Sequence, residues 1–271
     1  MNYSTMPIWL MGALVFAALI AAREFGHLVR KRRKATTAAD DAEDGFTMTS
    51  MLGLLALLIA FSFSISLQRY DARRELVISE ANALGTTWLR TKLLDEADRN
   101  RLRAVLREYV DLRIEFGLAT TAEEEAAAFR KTKAMQQQLW EATAEAVAPF
   151  RTTELASLLV TTTNESIDLA ATRMAAREAH IPPRIILVLM LYALVASVMV
   201  GYEKGRYRTA TSLLFFLLTL AASLVVDLDR PATGAIKVSQ QPMLELQRNI
   251  AEHRAQATAA QRTLADEVKR E

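Results

Sequence analysis

The sequence predicts an all-α membrane protein: four transmembrane helices, with an extramembrane antiparallel helical bundle inserted between spans 2 and 3. Three observations carry this. Four stretches hold no charged side chain: Met1–Ala22, Gly45–Gln68, Ile185–Tyr202 and Thr209–Val226. A bilayer core of about 30 Å is crossed by roughly 20 apolar residues rising 1.5 Å each, and these stretches have that length. Each stops at charge, namely Arg23, Asp44 and Arg69, Arg184 and Glu203, then Arg208 and Asp227. The segment between the second and third stretches is charged and amphipathic, poor in Gly and Pro, and free of strand-like alternation.

Composition narrows the function. The chain has 271 residues, a formal net charge of +2 and no cysteine. Disulfides, thiolate metal sites and cysteine nucleophiles are excluded. Near-neutral charge without a basic stripe argues against nucleic acid as a partner. His27, His180 and His253 lie far apart without ligand spacing. No phosphate loop, nucleophile elbow or paired acid/base motif is present, so neither an enzyme nor a cofactor is expected. The partners expected are the lipid bilayer, a second copy of the chain and small ions.

Four regions follow: residues 1–68, spans 1 and 2 with a short basic loop; 69–184, four extramembrane helices; 185–226, spans 3 and 4; and 227–271, a turn and a polar helix. Span 1 is followed, not preceded, by the basic cluster Arg30–Lys34. That is the pattern of a retained helix with its N-terminus outside, not of a cleaved signal. The density of Lys and Arg in the short loops 23–48 and 203–208 favours the cytoplasm for both.

In the extramembrane segment, the first helix continues span 2 from Tyr70 to about Leu94. The second runs from about Ala97 to Phe116, with Leu102, Val105, Tyr109, Leu112 and Phe116 on one face and Arg113 elsewhere on its surface. Thr121 and Glu124 form a capping-box pattern opening the third. Its expected inner face is Phe129, Gln136, Leu139, Trp140, Thr143 and Val147. The fourth spans about Thr153 to Ala179 and carries Leu155, Leu158, Leu159, Thr162, Leu169 and Met174. Pro182-Pro183 ends the bundle. The tail 239–271 reads as a polar helix with a thin stripe of Leu244, Leu246, Ile250 and Leu264.

Two strings carry a resemblance. Residues 61–90 read FSFSISLQRYDARRELVISEANALGTTWLR, and residues 227–246 read DLDRPATGAIKVSQQPMLEL. With Glu24-Phe25-Gly26 and Tyr109-Val110-Asp111-Leu112-Arg113, they resemble a bacterial four-span family described as bestrophin-like, over roughly residues 5–250. The resemblance implies a relation to bestrophins, which are oligomeric, usually pentameric, anion channels with a hydrophobic neck lined by the second span. It implies a bacterial inner-membrane location. It also implies cytoplasmic termini and a cytoplasmic helical domain, the opposite of the loop-charge reading. The calcium-binding residues of animal bestrophins are not recognisable in this chain.

Candidate site residues fall into two groups. In span 2, Leu57, Phe61 and Phe63 are candidates for a constriction, and Ser62 and Ser66 for polar pore lining. The competing reading is that such serines bond back to their own helix and that small residues serve packing. At the membrane mouths, Arg69, Arg73 and Arg74 form a basic cluster suited to attract anions or to anchor in head groups. Asp227, Asp229 and Arg230 close span 4 as a cation-holding pair or, more simply, a cap. Glu80 is expected to pair with Arg90 or with arginines of another helix. Function divides between an oligomeric ion channel, anion-conducting by resemblance, and a sensor or scaffold whose helical bundle acts through a partner.

Overall fold

A computed structural model describes the backbone of residues 6–32, 38–204 and 207–253, with side chains except those of 38–45 and 204. Among the described residues every regular element is helical. In order they are α1 (Ile8–Arg32), α2 (Ala38–Arg90), a turn of 3-10 helix (Thr91–Leu93), α3 (Glu96–Leu118), α4 (Ala122–Val147), α5 (Glu154–Glu178), α6 (Pro183–Lys204) and α7 (Arg208–Leu228). Residues 241–253 form α8.

Helix ends follow local chemistry. Span 2 and the first bundle helix are one unbroken α2 of 53 residues. Asp95 caps α3 by accepting the Asp98 amide. Thr121 and Glu124 form the full capping box of α4. Pro183 is the first residue of α6, where its missing N–H is harmless. Helix α1 runs past its expected end at Ala22 to Arg32. Arg23 can stay helical and buried because α7 accepts three hydrogen bonds from its Nη1 and Glu24 one from its Nη2.

The chain divides into two compact units. Unit 1 comprises Met1–Asp71 and Ala179–Lys237; unit 2 comprises Ala72–Glu178 and Val238–Glu271. Among the described residues, four helical stretches are long and apolar enough to cross a membrane, within Ile8–Arg32, Phe46–Leu93, Glu154–Glu203 and Arg208–Leu228.

Unit 1 packs α1, α6, α7 and the first part of α2 around Leu19, Leu55, Ile59, Ala196, Val200 and Phe215. Helices α1 and α6 approach backbone to backbone. A Cβ on Gly26 would stand 2.0 Å from the Val198 carbonyl oxygen, and one on Gly201 would stand 1.9 Å from that of Arg23. Ser197 Oγ donates across the same seam to the Leu19 carbonyl at 2.5 Å. Small residues that let backbones meet, plus an interhelical hydroxyl bond, are what drives helix association in lipid.

Unit 2 buries Leu102, Leu106, Tyr109, Leu139, Leu159 and Met243. Its core is shared by five helices, because Met243 and Ile250 of α8 join the four expected ones. Leu264 lies outside the described residues. The buried faces differ in detail from those expected. Helix α3 turns inward through Leu102, Leu106, Tyr109, Arg113 and Phe116, so Arg113 is a core residue and not a surface one. On α4 and α5, Trp140 and Leu158 are exposed, while Thr132, Thr143, Thr162, Thr163 and Ser166 are buried. Most of their hydroxyls are satisfied locally: Thr132 donates to the Ala128 carbonyl at 2.9 Å, Thr143 to Leu139 at 2.8 Å and Ser166 to Thr162 at 2.9 Å, while Thr163 meets Thr143 across the α4–α5 seam at 3.3 Å. Satisfied hydroxyls cost little to bury and leave the helices close.

Candidate functional site

Helix periodicity sorts the span-2 candidates. At 100° per residue, positions 57, 61, 65 and 68 share one face and 55, 59, 62 and 66 share the other. Leu57 is 50% and Phe61 59% exposed, with Ile65 beside them. Leu55, Ile59, Ser62 and Ser66 are buried inside unit 1, and Phe63 is half-buried. Leu57 and Phe61 are thus brought together on the open face, while Ser62 and Ser66 are not. Ser62 Oγ donates to its own helix at the Leu58 carbonyl, 2.9 Å away. The Tyr192 hydroxyl of α6 donates to the Met51 carbonyl at 3.2 Å, fixing the inner face.

Of the basic residues after span 2, Arg69 is half-buried and Arg74 exposed. Arg73 is buried in unit 2, where its Nε donates to the Ala176 carbonyl at 3.0 Å. The exposed neighbours Asp71 and Glu75 carry the opposite charge.

The segment after α7 is organised by its two carboxylates. Asp227 accepts the amides of Ala235 and Ile236 at 2.7 and 3.1 Å. Asp229 accepts the Ile181 amide at 2.9 Å and lies 3.5 Å from His180 Nδ1. Arg230 donates to the Met6 carbonyl at 2.8 Å. Gly234 is required here, since a Cβ would stand 2.5 Å from the Arg230 carbonyl oxygen. All three candidates at this mouth hold the turn in place.

A second charged group joins α1 to α7 within unit 1. Arg23 Nη1 donates to the Arg208 carbonyl, Thr211 Oγ1 and Ser212 Oγ at 3.0, 3.0 and 2.7 Å. Glu24 bridges Arg23 at 2.7 Å and Arg208 at 3.0 Å. Arg30 donates to the carbonyls of Tyr202 and Glu203, capping the end of α6.

Unit 2 contains a buried ionic core that sequence reading found only in part. Glu80 accepts Arg113 Nε at 2.5 Å on one oxygen and Arg173 Nη1 on the other. Arg173 Nη2 donates to Gln240 Oε1 at 2.9 Å. Three guanidiniums surround the Phe116 ring, Arg113 at 4.5 Å, Arg177 at 5.1 Å and Arg173 at 5.7 Å from its centre. The ring's negative faces partly offset two buried cations that share one carboxylate. Burial presses the Arg173 guanidinium below its ordinary value, and the Glu80 carboxylate opposes that. Arg90, the other expected partner of Glu80, donates instead to the Leu158 carbonyl. The signal for Arg113 was its place in the inward run Tyr109, Val110 and Phe116; nothing local marked Gln240. Among the described residues no cluster of three or more His, Asp or Glu side chains could hold a metal ion.

The bestrophin-like domain pattern matches residues 12–243. The chain belongs to the bestrophin-like family. The bacterial bestrophin homologue from Klebsiella pneumoniae superposes with a TM-score of 0.65 at 14% identity, covering 91% of this chain and 98% of that one. A singly substituted form of that homologue gives 0.64 at 15% identity, covering 90% and 98%. At such identity the likeness is one of fold. No curated protein matches the chain. Family and fold are thus bestrophin-like, and a bestrophin-like chain with four apolar helices among its described residues is a multi-pass membrane protein.

Proposed function

We propose that the protein is a homo-oligomeric ion channel whose pore is lined by the open face of α2, with Leu57 and Phe61 forming a hydrophobic constriction. The observation that carries this reading is the pair of large apolar side chains exposed one helical turn apart on the span-2 helix. Copies arranged round an axis, the default for homo-oligomers, would gather these side chains into rings. Bulky apolar rings gate by excluding water. Five subunits, a bacterial inner-membrane location and anion preference follow from the likeness to bestrophins. Arg69 and Arg74 would favour anions, whereas Asp71 and Glu75 would oppose them.

The test is electrical. Purified oligomer in a planar bilayer gives unitary currents, and Phe61→Ala changes their size or open fraction. Reversal potentials in a chloride gradient and then a cation gradient give the sign of the permeant ion. A well-folded oligomer silent across voltage and pH would defeat the proposal.

A further inference from the structure

Within unit 1, α1, α2, α6 and α7 enclose a cavity of about 120 Å³. Its shape is a slot. It is lined from Met11 to Leu19 on α1, from Ile185 to Ala193 on α6 and from Leu218 to Val226 on α7. Each pair is eight residues apart, about 12 Å along a helix. The volume is therefore drawn out along the bundle, unlike the compact apolar cavity of about 150 Å³ that takes benzene.

The lining excludes water. Two of its three hydroxyls are turned back to their own helices, Ser62 to the Leu58 carbonyl and Thr219 to that of Phe215. The third, Ser223, is tucked beside Gly12. A buried water needs two to four polar partners, and the remaining wall is hydrocarbon. The slot is closed at its inner end, where Leu19 and Leu55 are each 1% exposed. At the other end Ile181 and Val225 are also buried, at 3% and 4%, and the opening lies on the α6 side, where Ile185 is 45% exposed. The open end lies where α6 begins and α7 meets Asp227, the level at which a lipid head group would stand. Arg184 is exposed there, next to Ile185.

We propose that this slot holds one acyl chain of a membrane phospholipid, its phosphate near Arg184. The long narrow shape selects a linear chain over a ring. The dry lining selects hydrocarbon over water or ions. The charge at the mouth selects an anionic head group. This site is independent of conduction by the α2 face.

The test uses the full chain in phosphatidylcholine vesicles carrying a trace of phospholipid spin-labelled on the upper half of one acyl chain, the part that the slot's length would hold. The wild-type spectrum should contain one strongly immobilised lipid per chain beyond those at the outer surface. Ala222→Leu, which fills the slot, and Val226→Phe, which closes its mouth, should each remove that lipid. The second variant keeps the test open if the first fails to fold. Arg184→Gln should keep the lipid but lower the preference for phosphatidylglycerol over phosphatidylcholine several-fold. No immobilised lipid in the wild type, whether the slot stands empty or a second copy fills it, would overturn the proposal. So would an unchanged lipid count in the folded variants. An unchanged head-group preference in Arg184→Gln would overturn the assignment of the phosphate to Arg184.

Discussion

Glu80 and Arg113 form an ion pair at 2.5 Å with both side chains fully buried. They join α2 to α3, and the same carboxylate binds Arg173 of α5. Removing one member of a buried pair strands the others, whereas replacing the set with apolar groups removes the desolvation cost as well. Glu80→Gln is therefore expected to destabilise unit 2 by about 3–5 kcal/mol. The triple change Glu80→Leu, Arg113→Met and Arg173→Met should cost less than Glu80→Gln alone. Melting in detergent, followed by circular dichroism, compares the two. Equal losses would show that the pair contributes no more than ordinary packing.

Phe61 separates conduction from folding. Its side chain is open in the subunit, so Phe61→Ala should change subunit stability by no more than about 0.5 kcal/mol. If α2 lines a pore, the same substitution changes single-channel current. Buried Leu55, one face away, should behave in the opposite way. Leu55→Ala is expected to cost about 2–5 kcal/mol. The measurements are a detergent melt and a bilayer recording on each variant.

Tyr109 gives unit 2 an alkaline limit. Burial pushes its hydroxyl up to about 12, with the nearby Arg113 pulling the other way. The unfolded phenol titrates near its ordinary value of about 10. Between these values the folded form keeps a proton that the unfolded form loses, so stability falls as pH rises. The contribution is intact below about pH 10 and declines from there to about 12. Tyr109→Phe should remove that part of the decline while losing the bond from Gln136. Denaturant unfolding of both forms from about pH 9 to 11 gives the difference.

The four spans and the helical insert were legible because lipid imposes uncharged runs of fixed length and the insert supplies the amphipathic ones. The capping box at Thr121 was legible because it is purely local. The inward faces of α4 and α5 were less so. Reading by the largest apolar side chains chose Trp140 and Leu158, but the packed faces are built from Ala, Thr and Ser whose hydroxyls bond within their own helices or, for Thr163, to Thr143 across the seam. The ionic core was half visible: Glu80 stood out as an acid in a helix, but its partners lie 33 and 93 residues away. No sequence period links them. The cavity in unit 1 had no local signal at all, since its walls read as ordinary span residues.

The glycines of unit 1 supply a last contrast. Gly201 and Gly26 have no space for a methyl group, because the nearest atoms are backbone of the opposing helix. Backbone cannot rotate away as a side chain can. Gly201→Ala must therefore part α1 from α6 and disturb the Ser197–Leu19 bond beside it, a strain of about 1–3 kcal/mol. Gly53 of α2 is different: a methyl group there would meet nothing within 4 Å. The substitution then only relieves the entropy of glycine in a helix, and Gly53→Ala should stabilise the subunit by up to about 1 kcal/mol. Both are read by the melting temperature in detergent. If Gly53→Ala destabilises the assembled protein while leaving the dissociated subunit unharmed, that residue sits against a second copy, and α2 is buried in the oligomer at that level instead of facing a pore.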